Sequence, residues 1–353
     1  MGGLASWLLL SIFIGSAAVI WLAGVKLSDT TDVLAERLHL GSALGGLVIL
    51  AVATNLPEIA ITVSAAASHQ LEVAVGNILG GIAIQTVVLV ALDAFGVRAR
   101  RPLTYQAASL TLVLEGALVV AVLLIVVAGA QLPRGLLTAR LTPDVLIITA
   151  VWVAGLLLIN RASGSLPWAD SGDAPDTQPE PRGNRRTKKE KAATDRKVST
   201  LRVSAVFGLA AVATLVAGVT IERSGEVFFS RIGLSGVLFG ATVLAAATSL
   251  PELSTGITSA RLGDYQLAMG DIFGGNAFLP VLFLPATVIA NQAVLPAANR
   301  SDIYLTALGA VLTIVYMTGL VFRPARNIAR MGADSIAVLA IYAIGVVGLI
   351  SLQ

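Results

Sequence analysis

Two stretches of the chain read nearly alike. Residues 46–66, GLVILAVATNLPEIAITVSAA, match residues 240–260, GATVLAAATSLPELSTGITSA, and AVGNILGGIA at 74–83 matches AMGDIFGGNA at 268–277. One offset of 194 positions aligns both pairs without a gap, setting Pro57 on Pro251, Glu58 on Glu252, Asn77 on Asp271 and Gly80 on Gly274. Two separate motifs keeping one offset mark an internal duplication. What the duplication builds depends on the solvent around it and on the number of crossings between the copies.

Composition settles the solvent. Of 353 residues, 56% are hydrophobic and 13% charged, whereas a soluble domain is about a quarter charged. Lipid must face most of this surface. Ten segments are long and apolar enough to cross a bilayer as helices: 4–25, 42–67, 72–95, 106–130, 144–160, 203–221, 234–260, 266–291, 302–322 and 333–351. The first has no Lys or Arg before it and too long an apolar run for a cleaved signal. The expected fold is therefore all-α and polytopic, with ten transmembrane helices in two five-helix repeats at 1–161 and 203–353. Five crossings separate each element from its copy, so the copies enter the membrane from opposite faces. That is the pattern of inverted-repeat transporters, whose site lies near the midplane where the repeats meet.

Charge position gives orientation. Ten of the 24 basic residues lie between Arg161 and Arg202, in a segment that includes PEPRGNRRTKKEKAATDRK. The net charge of +3 therefore reflects one basic linker, 162–202, and not a nucleic-acid surface. It reads as a solvated linker that also fixes topology, the alternative being attraction to anionic lipid headgroups. Arg134, Arg140, Arg223, Arg231 and Arg300 fall on the N-terminal side of the membrane and the other nineteen Lys and Arg on the opposite side. Five against nineteen predicts a multi-pass plasma-membrane protein with both termini extracytoplasmic and the linker in the cytoplasm. The chain has no cysteine and only His39 and His69, which removes thiolate chemistry and disulfides and argues against a histidine metal cluster. There is no H-E-x-x-H and no phosphate-binding glycine loop, so a membrane metalloprotease and an ATP-driven pump find no support.

The chemistry is concentrated at the repeat. Glu58 and Glu252 sit mid-span, where a carboxylate costs about 2.5–3.5 kcal/mol on insertion scales and normally turns to the protein interior and a partner. Each follows a proline, and Pro57 and Pro251 free the carbonyls of Ala53 and Ala247 from their helical donors. Freed carbonyls inside a membrane persist only where protein, water or an ion satisfies them. With Thr54, Thr248, Asn77 and Asp271 these groups form an all-oxygen set without thiol or imidazole. That suits a hard cation: Ca²⁺ takes about 6–8 oxygens in irregular geometry, while Mg²⁺ sheds water reluctantly. Asn55 and Ser249, with the carbonyls of Ala53 and Ala247, make a candidate site for a coupling ion. Glu115, mid-span outside the repeat motif, reads as an interhelical hydrogen-bond partner, with an accessory proton site as its alternative. Asp93 and Asp144, at span ends, read as helix caps or as interfacially solvated carboxylates.

At these residues the sequence resembles the calcium/cation antiporter superfamily, in particular compact prokaryotic members of its sodium/calcium exchanger branch. T-N-L-P-E at 54–58 and G-N-I-L-G-G at 76–81 look like that family's first repeat, and T-S-L-P-E at 248–252 with G-D-I-F-G-G-N at 270–276 like its second. The resemblance implies alternating access, with calcium moved one way against sodium moved the other and no cofactor beyond the transported ions. It implies that Glu58, Glu252, Thr54, Thr248 and Asp271 hold calcium and that Asn77, Ser249 and the same glutamates line the sodium or proton part of the site. The first and sixth spans would slide against the remaining bundle. Inorganic cations and membrane lipid are the partners so implied, with no obligatory protein partner. Four departures stand out: Asn55 where the family usually has Ser, Gly80-Gly81-Ile82 for Gly-Ser-Asn, Gly275 for Ser, and Val73 and Leu267 where sodium-driven members carry serine ligands. Aliphatic side chains cannot coordinate Na⁺, so the coupling ion, Na⁺ or H⁺, stays open at this point.

Overall fold

The computed structural model describes residues 1–37, 51–98, 100–164, 199–234 and 239–352. Among these the architecture is all-helical. Eight helices are long and apolar enough to cross a membrane: Ser6–Leu27, Leu71–Gly96, Leu110–Gly129, Pro143–Ala162, Thr200–Arg231, Tyr265–Ala290, Arg300–Phe322 and Ala333–Ser351. Side chains such as Leu22, Leu158, Leu209, Phe322 and Ile344 are about two-thirds or more exposed on the outside of the bundle, as an apolar solvent requires. Most of the basic linker falls outside the described residues.

The two remaining expected spans, 42–67 and 234–260, differ from the rest. Parts of both, 42–50 and 235–238, lie outside the described segments, and the described parts are interrupted. One helix runs Leu56–Ala67 and the other Leu250–Leu262. Each is preceded by a residue that leaves helical geometry, Asn55 at φ −85°, ψ 15° and Ser249 at φ −79°, ψ 7°. The prolines explain this. Pro57 and Pro251 stand in the first turn of the resumed helix, where a missing N–H costs nothing. The two breaks have similar dihedrals because they have the same cause.

Other boundaries also moved. The expected spans 4–25 and 203–221 belong to helices of 32 residues, Ser6–Arg37 and Thr200–Arg231. Lys26 and Glu222 end the apolar run but not the helix, since nothing in these stretches removes a backbone donor. The expected span 106–130 begins only at Leu110, after a break at Ala108 and Ser109, and Ser109 caps it by accepting from the Thr111 amide at 3.2 Å. The span 266–291 bends into a tighter turn at Leu279–Leu282, around Pro280.

The duplication extends further than the two motifs. Gly24 and Gly218 are also 194 positions apart, each in the sequence Ala-Gly-Val. A second offset of 190 relates two tight turns. Thr138 pairs with Leu141 through N–H···O bonds of 2.9 and 3.0 Å, and Ile328 with Met331 through bonds of 2.8 and 3.0 Å. The central residues are Ala139-Arg140 in one and Ala329-Arg330 in the other, all four at positive φ. That is the type I′ turn, unfavourable for residues with a Cβ. Asp144 and Asp334 follow at the same offset, each opening a final apolar helix.

Among the described residues three apolar clusters hold the bundle, the smallest around Ala23, Leu27, Ala53 and Ala210. The largest joins Leu79, Ile82, Leu89, Phe273, Phe283 and Tyr316. A separate one, around Phe13, Ile20, Ile221 and Phe239, joins the two 32-residue helices to the interrupted segments. Those long helices pack along their length and run antiparallel. Arg231, the last residue of one, donates to Leu4 O and Gly2 O at the start of the other, at 2.8 and 2.6 Å.

Candidate functional site

The two interruptions meet in the interior. Thr54, Asn55, Glu58, Thr248, Ser249 and Glu252 are each no more than 1% exposed. At each break a side chain folds back one turn: Asn55 Nδ2 donates to Ala51 O at 2.7 Å, and Ser249 Oγ to Ala245 O at 2.7 Å. Both thereby spend a hydrogen on backbone and keep their oxygen character for the interior. Thr54 and Thr248 do the same more loosely, to Ala51 O and Ala245 O at 3.3 and 3.2 Å. Their hydroxyls face across the repeat boundary. Thr248 lies against the carboxyl of Glu58, and Thr54 against that of Glu252.

A residue absent from the expected set stands between the glutamates. Gln85, on the helix Leu71–Ala91, is fully buried. Its Nε2 lies 3.5 Å from Glu58 Oε1, 3.4 Å from Glu252 Oε1 and 3.1 Å from Asn55 Oδ1. The two carboxyl oxygens are thus less than about 7 Å apart, while a Ca²⁺ with ligands at about 2.3–2.6 Å spans roughly 5 Å between opposite oxygens. Asn276, the last residue of the second-repeat motif, donates from Nδ2 to Thr86 Oγ1 at 3.0 Å.

Asn77 and Asp271 stand one layer behind. Asn77 Nδ2 approaches the backbone carbonyl of Glu58 at 3.4 Å and Thr62 Oγ1 at 3.5 Å. On the other side the Thr255 hydroxyl is 2.8 Å from Asp271 Oδ2 and 3.1 Å from the backbone carbonyl of Glu252. Each helix partner therefore braces the glutamate of its own half, directly or through one hydroxyl. Among the described residues no three His, Cys, Asp or Glu side chains gather around one point; Glu58 and Glu252 meet as a pair. Ala53 and Ala247, whose carbonyls the prolines release, are buried within the same breaks.

Among the described residues, Glu58 Oε2, Glu252 Oε2, Gln85 Oε1 and Asn276 Oδ1 are buried and accept no hydrogen bond. Buried acceptors without donors each cost about 1–3 kcal/mol. Four of them, two on the carboxylate pair itself, fit a dehydrated hard cation or a proton far better than a structural role. Val73 and Leu267, one turn before Asn77 and Asp271 on their helices, offer only hydrocarbon.

Residues outside the site divide. Asp93 lies inside the turn Leu92–Gly96 and does not cap its own span; it accepts from Leu103 N, Gly332 N and Ser335 Oγ at 2.8, 2.7 and 2.7 Å and so ties the starts of two other helices to it. Glu115 does not behave as expected. It is buried, its Oε2 has no partner among the described residues, and the neighbouring Gly116 packs on Met317 and Phe273. No hydrogen bond to Glu115 is found among the described residues, so the hydrogen-bond reading fails there. Gln85 escaped the sequence reading because nothing polar aligns with it at offset 194, where Leu279 stands. A polar amide in the middle of an apolar span was the available signal.

Comparisons with known proteins bear on the family and the fold. The sequence profile described as "Sodium/calcium exchanger protein" matches residues 8–171 and 202–351. The inner membrane protein YrbG of Escherichia coli (strain K12) is 26% identical over 304 residues, 85% of this chain and 86% of that protein. The putative antiporter CaxA of Alkalimonas amylolytica is 27% identical over 312 residues, 87% and 88% of the two chains. Among solved structures, the H⁺/Ca²⁺ exchanger CAX superposes with a TM-score of 0.67 at 14% identity, covering 97% of this chain and 82% of that one. The sodium–calcium exchanger NCX_Mj superposes with a TM-score of 0.60 at 16% identity, covering 97% and 99%. The folds are therefore alike, and the chain belongs to the sodium/calcium exchanger protein family.

Proposed function

We propose that this chain is a secondary active antiporter that exchanges Ca²⁺ for Na⁺ by alternating access. It is a transporter and not an enzyme, and it needs no cofactor beyond the ions it carries. One observation carries the reading: Glu58 and Glu252, from two copies of one motif, reach the same buried amide nitrogen at 3.5 and 3.4 Å. The cation site comprises Glu58, Glu252, Thr54 and Thr248, with Asn77 and Asp271 bracing the two glutamates from one layer behind and with Asn55, Ser249 and the carbonyls of Ala53 and Ala247 serving the coupling ion. The fold is two inverted five-helix repeats, 1–161 and 203–353, joined by a cytoplasmic linker at 162–202. Antiparallel packing of Ser6–Arg37 against Thr200–Arg231 supports the inversion, and the arginine count supports termini outside the cytoplasm.

A second reading, proton-coupled Ca²⁺ transport, is favoured by Val73 and Leu267, which offer no oxygen to a sodium ion. Both readings meet in one experiment. Purified protein in proteoliposomes takes up ⁴⁵Ca²⁺ under an outward Na⁺ gradient alone or an outward H⁺ gradient alone. Uptake under only one gradient selects the coupling ion. Glu58→Gln and Glu252→Gln each reduce uptake to the level of empty liposomes. Uptake that persists in both variants refutes the site, and flux independent of either gradient would indicate a channel.

A further inference from the structure

Away from the glutamates, a cavity of about 320 Å³ opens where two loops meet, walled by Asp93, Val97, Arg98, Arg101, Asn327 and Arg330. The first four belong to the end of the helix that carries Asn77 and Gln85 and to the loop after it. Asn327 and Arg330 belong to the tight turn before the last helix. This is the membrane face that the arginine count assigns to the cytoplasm. The volume lies at the lower end of the range for small-ligand sites.

Three guanidiniums here face one carboxylate, and that carboxylate is already occupied. Asp93, 2% exposed, accepts from Leu103 N, Gly332 N and Ser335 Oγ. Among the described residues no acidic group pairs with Arg98 or Arg330. Arg101 lies over the Tyr105 ring at 4.3 Å, a contact that steadies the guanidinium and uses none of its five N–H donors. Like charges around one small cavity repel, so the backbone must hold them there. Asn327 Nδ2 donates to Arg100 O at 2.8 Å, which ties one loop to the other. A Cβ on Gly332 would stand 2.9 Å from Pro102 Cβ, so the loops also pack closely. Arg330 itself is held at φ 69°, a left-handed conformation that a residue with a Cβ adopts at a cost.

Planar N–H forks of this kind match the oxygens of a phosphate group, two at a time. The setting favours one bearer of that group. Phe95 and Ile328, close along the chain to the lining residues, are 64% and 50% exposed. Apolar side chains beside guanidiniums at a membrane surface suit a lipid, whose charged head lodges in a basic pocket while its chains continue into the bilayer. We propose that this cavity binds a phosphate group, supplied by the headgroup of an anionic lipid in the adjoining leaflet. The phosphate takes donors from Arg98, Arg101 and Arg330 and relieves their repulsion, while Asp93 keeps its own partners beneath. Because Asp93 stands at the end of one helix and bonds the start of the last, the occupant braces both helices at this face. The site is separate from the paired glutamates and does not depend on which ion is carried.

The test reads Tm of the full chain, delipidated in non-ionic detergent, during titration with dihexanoyl phosphatidylglycerol, dihexanoyl phosphatidylcholine or inorganic phosphate at constant ionic strength. Phosphatidylglycerol is expected to raise Tm by several degrees, and phosphatidylcholine to leave it unchanged. The triple variant Arg98→Gln, Arg101→Gln, Arg330→Gln should need at least about tenfold more phosphatidylglycerol for the same shift. Arg326→Gln, near the turn but outside the cavity, should respond within about twofold of wild type. Arg98→Gln and Arg330→Gln alone, each weakening the response about threefold or more, decide the matter should the triple variant not fold. The same arginine-dependent shift with inorganic phosphate supports the pocket and makes the free anion its occupant. Equal shifts in wild type and the arginine variants, equal shifts with both lipids, or no shift with any of the three probes overturns the proposal. Transport is not read, so an active antiporter without this response loses the lipid site alone.

Discussion

Adding one methyl group to Gly24 tests how the long helices bear on the site. A Cβ there would lie 2.8 Å from Pro251 Cβ, 3.0 Å from its Cα and 3.1 Å from its Cγ. Carbon atoms pack at about 3.5–4.0 Å, so helix or proline must give way by nearly 1 Å. A proline ring is rigid, and Glu252 follows it directly. On stability the change nearly cancels: overpacking costs about 1–3 kcal/mol, and alanine gains about 1 kcal/mol over glycine in a helix. On function it does not cancel, because a displacement of about 1 Å at a reacting centre can cost about 100-fold. At Gly218 the Cβ would meet Pro57 Cα at 3.1 Å and Pro57 O at 3.2 Å, a shift of a few tenths of an ångström. Gly24→Ala should therefore slow initial ⁴⁵Ca²⁺ uptake by about 10-fold or more, and Gly218→Ala should slow it less. Gly15 and Gly208, on the same two helices with nothing within 4 Å, provide controls whose alanine variants keep uptake within about twofold. Thermal unfolding in detergent should move by only a few degrees in all four. Wild-type uptake by Gly24→Ala, or equal losses at Gly15 and Gly24, would refute the reasoning.

Other residues give sharper single outcomes. Gly275→Ser should impair uptake because its Cβ meets Asn55, and adding Asn55→Ser should recover it; a double-mutant cycle without a coupling energy of about 0.5–3 kcal/mol would contradict the shared packing. Serine at both Val73 and Leu267 should lower the Na⁺ concentration for half-maximal exchange, and an unchanged sodium titration would count against a ligand role at these positions. Asp93→Ala removes the acceptor of three hydrogen bonds and should cost about 3 kcal/mol or more, seen as a fall of several degrees in Tm with little change in KM for Ca²⁺. An unshifted Tm would mean that the loop around Gly332 is held by other contacts.

The pattern of apolar segments and the Pro-Glu repeat were legible because both are periodic: a bilayer imposes length, and duplication imposes an offset. Charges were a poor guide to helix ends, which is why Ser6–Arg37 and Thr200–Arg231 overran their expected spans. Gly24 and Gly218 keep the offset of 194, but a lone glycine in a membrane helix carries little information until its opposite number is known to be a proline. Gln85 has no counterpart in the other half, so symmetry could not reveal it. Glu115 shows the limit from the other direction: burial was readable, yet the missing partner of its Oε2 was not.

The contacts across the repeat boundary constrain how the site can move. Gly24 bears on Pro251 and Gly218 on Pro57, while Thr54 lies against Glu252 and Thr248 against Glu58. Each Pro-Glu break is thus backed by the opposite half. The helices that carry the glycines pack on each other along their length and belong with a core separate from the main one. A displacement of that helix pair relative to the larger core would push on both prolines at once. Because the two helices are antiparallel, the push reaches the two breaks in opposite directions along the chain. Gln85 stands between the two glutamates on a helix of the larger core. For the alternating access proposed above, this crosswise pairing would let one helix pair act on both Pro-Glu breaks at once.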